Sequence, residues 1–317
     1  MPSLVQLEYM VAVADHRHFG KAAKACFVTQ PTLSQQIGKV EEDMGLVVFD
    51  RIKKPVMLTP EGEDFIEQAR LILREHRRLK EIAKSKSKEI SGTFRLAVIP
   101  TVSATLVPQF IEPFAGKYPK VELFVDEMKT ESILDGLRQD KLDAAIMATP
   151  LTTEGFEEEP LYYEPFKLYV SKDHPLAKKE TCAKKDLDGA GLWLLNDGHC
   201  FKDQVVRYCS IQGEEKPIFK NVHFQSGSLD TLRRLVRQGH GYTLIPAFMT
   251  SYMSEAETRA HVRSFSSPEP AREISLVCRR GHWKKGIVRA LRESILKSLP
   301  EGMRTSPNRK LEVLELC

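Results

Sequence analysis

The run Phe27-Val28-Thr29-Gln30-Pro31-Thr32-Leu33-Ser34-Gln35-Gln36-Ile37-Gly38-Lys39-Val40 decides how the first part of the chain is read. Phe27-Val28-Thr29 breaks one helix and Thr29 can cap the next. Pro31 stands early in that helix, where a missing N–H costs nothing. A helix is expected over residues 31–43, with Gly45 just past its end, where a positive φ is favoured. Upstream, Leu4, Leu7, Met10, Val11 and Ala14 recur at three- and four-residue spacing, the stripe of an amphipathic helix, and a shorter helix follows over 20–25. Downstream, residues 47–49 and 56–58 read as two short strands around Asp50-Arg51-Ile52-Lys53-Lys54-Pro55. Three helices, a tight break before the third and a basic hairpin after it make a winged helix-turn-helix.

The rest of the chain reads differently. Thr59-Pro60 opens a long helix over 60–90, on which Phe65, Ile66, Ala69, Ile72, Leu73, His76, Leu79 and Ala83 mark a near-heptad seam. Beyond Ser91-Gly92, strands alternate with helices, which implies α/β units on mostly parallel sheets. Helices are expected to include 106–117 and 204–209; the expected strands include 166–171, 192–195 and 222–225. The length suits two small lobes better than one sheet. The expected organisation is a winged helix-turn-helix domain over 1–59, a linker helix with its apolar seam over 60–90, an α/β domain over 91–300 and a loose tail over 301–317.

Composition narrows the function classes. The formal net charge of +4 is too small to name a partner, so a nucleic-acid site has to show itself as a local patch. Hydrophobic residues at 42% and charged residues at 28% are globular values and exclude wholesale disorder. No apolar run approaches the roughly 20 residues that span a bilayer, so no membrane association is expected. The start has no basic segment followed by a small-residue cleavage site, so no signal peptide is expected. Six cysteines in 317 residues are not a disulfide scaffold, and the cytoplasm is the expected address. A disulfide there would be transient and therefore informative.

A recognition helix has to offer short polar groups to base edges, and phosphates need cations at the margins. Gln30, Thr32, Ser34, Gln35 and Lys39 supply the first kind; Arg51, Lys53 and Lys54 on the hairpin supply the second. Taken singly, such residues do no more than solvate a surface helix. Together, residues 4–62 resemble the LysR-type transcriptional regulator family. The matching text is Leu7-Glu8-Tyr9, Ala12-Val13-Ala14, Phe19, Ala22-Ala23, Gln30 through Ile37, Glu41, Gly45, Phe49-Asp50-Arg51 and Leu58-Thr59-Pro60-Glu61-Gly62. His18 stands where the family usually has Ser, Thr29 replaces Ser and Cys26 replaces Leu; these bear on capping and packing more than on docking. The resemblance implies a regulatory domain of two Rossmann-like lobes, similar to a periplasmic binding protein. The chain is then expected to cross between lobes near 161–166 and to return near 266–272, one lobe of this regulatory domain over 91–300 taking 91–162 and 268–300 and the other 163–267. It also implies a homodimer or homotetramer, a roughly palindromic double-stranded DNA operator and contact with RNA polymerase.

The most unusual segment is Asn196-Asp197-Gly198-His199-Cys200-Phe201-Lys202-Asp203, with Cys209 nine residues after Cys200. Asn-Asp-Gly is a turn signal, so Cys200 is expected to begin a helix. There its thiol meets the helix-end partial charge beside His199 and Lys202, and all three favour thiolate. An unbroken helix would hold the two Cα atoms roughly 13 Å apart. A disulfide tolerates at most about 7 Å. Helix and disulfide therefore exclude one another, which is the property of a switch. The bland alternative is two small buried hydrophobes. A zinc site of His199, Cys200, Cys209 and His223 fits no usual spacing, and neither metal nor cofactor is expected.

The loop His199-Cys200-Phe201-Lys202-Asp203-Gln204 with its second cysteine is similar to the sensor loop of the hydrogen-peroxide-responsive branch of the LysR family. So are Ile99-Pro100-Thr101, Asp126-Glu127-Met128-Lys129-Thr130, Thr231-Leu232-Arg233 and Gly239 through Pro246. That resemblance implies that Cys200 is the peroxidatic thiol and Cys209 the resolving one. Thr101, Thr130, His199, Asp203 and Arg272 would line or face the peroxide pocket. A thiol reductant of thioredoxin or glutaredoxin type would reset the switch, and the targets would be oxidative-stress genes. Cys26 is expected in helix core, Cys278 in strand packing and Cys317 in the tail. Two alternatives stay open: a metabolite in the interlobe cleft, touching Thr101, Ser103 and Thr130, or a thiol peroxidase using the same cysteines.

Overall fold

The structure, a computed structural model, describes residues 1–84, 90–187, 191–209, 222, 224–282, 284–300, 303 and 310–315, without the side chains of 77, 78 and 80–84. It divides into two compact units, residues 1–89 and 90–317.

The first unit holds α1 (Leu4–His16), α2 (Phe19–Ala25), α3 (Gln30–Met44), β1 (Phe49–Asp50), β2 (Met57–Leu58) and α4 (Pro60–Lys84). Every one of the first three helices is opened by a side chain. Ser3 and Gln6 form a reciprocal capping box on α1. Thr29 accepts from the Thr32 amide at the start of α3, and Gly45 closes that helix with φ of 65°. His18 does the same work on α2: its Nδ1 accepts from the Gly20 and Lys21 amides at 3.0 and 3.3 Å. The family departure at His18 is thus a change of capping chemistry, with the cap itself retained.

Met10, Val13, Leu33, Ile37 and Val40 are buried together and lock these helices into the trihelical core. The antiparallel hairpin of β1 and β2 is shorter than the sequence predicts. Glu41 explains this: its Oε1 takes the Val48 and Phe49 amides at 2.8 and 3.2 Å. The helix α4 leans on α1 through Leu7, Ala69 and Leu73. Half of the expected seam is therefore spent inside the unit, whereas Ile72 and Leu79 remain exposed at 43% and 66%.

The second unit is α/β. Its elements are β3 (Gly92–Val98), α5 (Pro100–Lys117), β4 (Val121–Glu127), α6 (Thr130–Arg138), β5 (Ala144–Thr149), β6 (Phe156–Val170) and β7 (Thr181–Cys182). Then follow α7 (Cys200–Cys209), α8 (Leu229–Arg237), β8 (Tyr242–Pro246), α9 (Glu255–His261), β9 (Val262–Phe265), β10 (Glu269–Arg279), α10 (Lys285–Ser298) and β11 (Leu311–Val313). In one lobe β3 lies parallel between β4 and β5, and β10 runs antiparallel to β5 and to β6. In the other, the end of β6 pairs with β8 and β9. One strand, β6, therefore belongs to both lobes. Each lobe has its own apolar core, one built around Phe94, Leu106, Phe110 and Ile146, the other around Phe166, Leu168, Leu232 and Leu244.

The two-lobed α/β class agrees with the sequence; several bounds do not. The helix predicted from 106 begins at Pro100, which occupies an early helical position at no cost. The strand predicted from 166 begins at Phe156 because Glu157, Glu158 and Glu159 pair with β10. No strand forms at Leu192, which makes a single bridge to Tyr242. None includes 222, 224 or 225 either. The predicted loose tail is corrected most clearly. Leu311–Val313 adds a parallel strand to the start of β10, and Leu314 is buried in the second core. Cys317 lies outside the described residues, as does His223. Among the described residues no helix is long and apolar enough to cross a membrane, and no cluster fit for a metal ion occurs.

Candidate functional site

Cys200 is the first residue of α7, as the turn before it predicts, and Gly198 makes that turn with φ of 84°. The turn is fastened at both ends. The Asn196 amide donates to Ser226 O at 2.8 Å, and Lys129 Nζ donates to Asp197 O at 2.8 Å. The first turn of α7 straddles the lobes: Cys200 packs in the core of the first, Phe201 in that of the second. Cys209, at the other end of α7, is buried in the second core. Both are free thiols, and the rise of an unbroken ten-residue helix keeps their Cα atoms roughly 13 Å apart.

A tight pocket around Cys200 is lined by Thr101, Lys129, Thr130 and His199, and it opens beside a cleft of about 310 Å³ that adds Glu131, Thr152 and Asp203. Thr130 Oγ1, on the pocket wall, is buried with no hydrogen-bond partner among the described residues beyond its interaction with the Cys200 thiol, and His199 Nε2 and Asn196 Oδ1, also without partners, lie near Gly227. Buried polar groups are nearly always satisfied, so unsatisfied ones mark places where a small polar ligand or water completes the bonding.

Arg272 stands behind the pocket, fully buried. Its Nε and Nη2 donate to Glu164 Oε2 at 2.9 and 2.8 Å. Nη1 donates to Thr101 Oγ1 at 2.7 Å. The Thr101 hydroxyl accepts that bond and so keeps its own proton free to donate. The guanidinium also lies over the Phe201 ring, 5.2 Å from its centroid.

The electrostatics differ from the sequence expectation. Burial pushes the Cys200 thiol above its ordinary range; Thr130 and Arg272 pull it back, and Asp203 adds to the rise. His199 is held below its usual pKa by burial and by Lys129, so its ring is uncharged near neutrality and supplies no cation. Lys202 turns to Asp197, 3.1 Å away. Two of the three predicted thiolate stabilisers are therefore spent elsewhere. Burial pushes Cys209 up to about 12.

The structure brings Thr101, Thr130, His199 and Cys200 around one pocket, puts Asp203 on the cleft rim and keeps Arg272 one layer behind. Ser103 lines neither. Glu164, Phe201 as a ring under Arg272, and Lys129 as a clamp were not singled out by sequence. Only Lys129 left a signal, as the neighbour of Thr130; Glu164 lies 108 residues from its partner. Of the remaining thiols, Cys26 ends α2, and Cys182 and Cys278 are buried in strands.

In the first unit, Gln30, Thr32, Gln35 and Lys39 are exposed on α3. Ser34 is half-buried and Arg51 donates to it at 3.4 Å. Arg51 also pairs with Glu41 at 2.7 Å and covers the Phe19 ring. Lys53 and Lys54 are exposed, Lys53 with Asp50 at 3.8 Å.

Comparisons with known proteins agree in kind. The profile of the bacterial regulatory helix-turn-helix protein, lysR family, matches residues 4–63, and that of the LysR substrate binding domain matches 87–300. The chain is 40% identical to the hydrogen peroxide-inducible genes activator of Pectobacterium carotovorum, over 94% of this chain and 97% of that protein. A full-length cysteine-to-aspartate variant of Pseudomonas aeruginosa OxyR superposes with a TM-score of 0.75 at 32% identity, covering 92% of this chain and 94% of the other. A cysteine-to-serine variant of Corynebacterium glutamicum OxyR with bound H2O2 gives 0.60 at 29% identity, covering 94% and 92%.

Proposed function

The chain belongs to the LysR family of bacterial transcription regulators, and from that premise we propose that it is a DNA-binding regulator switched by hydrogen peroxide at Cys200. The observation that carries this reading is the buried thiol at the start of α7, set in a tight pocket lined by Thr101, Thr130 and His199 and backed by a buried arginine.

The Cys200 thiolate attacks one peroxide oxygen. The S–O bond forms as the O–O bond breaks, and the departing hydroxide takes up the proton the thiol released, leaving as water. Thr101, Thr130 and neutral His199 offer hydrogen bonds to the two oxygens, and Arg272 supports the negative charge on sulfur. Cys200 is then a sulfenic acid. The Cys209 thiol condenses with it, the S–S bond forms and a second water leaves. A dithiol reductant of thioredoxin or glutaredoxin type reverses the step by exchange.

Condensation needs the Cα atoms within about 7 Å. The helix α7 must unwind, and Cys200 must leave the first lobe's core. That displacement is the conformational signal, which in a dimer or tetramer resets the spacing of the DNA-binding units on a two-fold operator and their contact with RNA polymerase. Gln30, Thr32, Ser34, Gln35 and Lys39 face base edges, while Arg51, Lys53 and Lys54 face phosphates.

Peptide mapping after peroxide treatment tests the first half of this reading: Cys200 is expected joined to Cys209, and absence of that linkage in the wild type overturns it. Operator footprinting with and without peroxide tests the second. The footprint is expected to change in the wild type and to stay fixed in Cys200→Ser. The cleft beside Cys200 favours one other reading, a small polar metabolite held by Thr130 and Thr152. A Cys200→Ser protein that still responds to the inducing condition would move the assignment there.

A further inference from the structure

We infer that the strand Leu311–Val313 with Leu314 is a latch on α7 that slows closure of the Cys200–Cys209 disulfide without affecting the first attack on peroxide; this rests on the redox reading above.

The latch is fastened to the sheet. The strand β11 lies in register with the start of β10, Leu311 opposite Glu269 and Val313 opposite Ala271. The Glu269 amide donates to Lys310 O at 2.7 Å, and the Leu314 amide donates to Ala271 O at 2.8 Å. The next residue of β10 is Arg272, the cation behind Cys200.

It is also fastened to the helix, by two kinds of contact. Leu314, 7% exposed, sits in the apolar cluster that holds Val205, Tyr208 and Cys209. Its carbonyl accepts from Gln204 Nε2 at 2.9 Å, and Gln204 is fully buried in the middle of α7. Sulfenic acid formation involves Cys200 at the far end of the helix and leaves these contacts whole. Disulfide closure does not: shortening the Cα separation from roughly 13 Å to about 7 Å has to unwind the turns that carry Gln204 and Tyr208. The Leu314 contacts then break before the Cys209 sulfur expels the Cys200 hydroxyl as water.

The experiment separates the two steps in the full chain. Sulfenic acid at Cys200 is trapped with dimedone in a Cys209→Ser background, and the disulfide is followed by quenched mass spectrometry in the Cys209 protein, each with and without Leu314→Ala. Trapping is expected to proceed at the same rate in both. Closure is expected to accelerate roughly tenfold in Leu314→Ala and to return to the wild-type rate in Leu314→Met, whose side chain has a similar volume. Equal closure rates in all three overturn the latch and leave the switch standing. No disulfide in any of them overturns both. Should Leu314→Ala fail to fold, Gln204→Met decides: it removes the bond to the Leu314 carbonyl at similar volume, closure is expected to accelerate, and an unchanged rate overturns the latch.

Discussion

Arg272 and Glu164 face one another with both side chains buried, the guanidinium donating twice to a single carboxylate oxygen at 2.8 and 2.9 Å. Glu164 Oε1 is taken by the Phe248 amide at 3.0 Å. The pair explains why a buried cation so near Cys200 does not make it a strongly acidic thiol. Most of its field is answered by Glu164, and burial then dominates. The Cys200 thiol therefore stays protonated at neutral pH.

Glu164→Gln tests that balance. It leaves Arg272 buried without its counterion, which costs on the order of 3–5 kcal/mol of stability. The thiol should become more acidic, since the positive field is no longer answered. The pH midpoint of Cys200 alkylation is expected to move down while the melting temperature falls. A midpoint that stays put or rises would show that Arg272 does not act on the sulfur.

Alkaline pH should weaken the fold. Cys209 and Cys278 are pushed up to about 12 by burial. The unfolded chain loses those protons near 8.5, so the native state binds more protons than the unfolded one between there and 12. Their stabilisation is complete at neutral pH and is lost as pH rises through that window, at about 1.4 kcal/mol per pH unit for each thiol. Urea midpoints measured at pH 7.5, 9 and 10.5 are expected to fall progressively, less steeply in Cys278→Ala.

His18 caps α2 through a ring nitrogen. Replacement by alanine removes the acceptor for two amides and should destabilise the first unit by about 1 kcal/mol. His18→Asn supplies a short acceptor in the same place and should recover most of it. Thermal denaturation of the three proteins ranks them, and an alanine variant as stable as the wild type would dismiss the cap.

Operator affinity against salt distinguishes the cations. Lys53→Ala and Lys54→Ala are each expected to lower the slope of log K against log salt by about one where the lysine meets a phosphate. Arg51→Ala should weaken binding with a smaller change of slope, because Glu41 already opposes that charge at 2.7 Å. Equal slopes for all four proteins would remove these side chains from the phosphate contact.

Much of this was legible because local rules govern it. Thr29, Pro31 and Gly45 act within a turn of the backbone they terminate, and Asn196-Asp197-Gly198 announces the start of α7 in the same way. What stayed hidden depends on remote partners. The strand β11 is three residues long, without alternation, and exists because β10 offers an open edge there. The acidic start of β6 reads as loop until its pairing with β10 is known. The thiol's environment was misjudged for a related reason: Lys202 has a nearer anion in Asp197, and burial outweighs the charges that sequence displays.

The strand β6 runs unbroken from Phe156 to Val170 and is laddered to one lobe through most of its length and to the other at its end. It acts as a common axle. Glu164 is mounted near the point where the pairing passes from one lobe to the other. A rotation of one lobe against the other would pass through the strand that carries the carboxylate offsetting Arg272. Lobe angle and the charge balance behind Cys200 then hang on a single element.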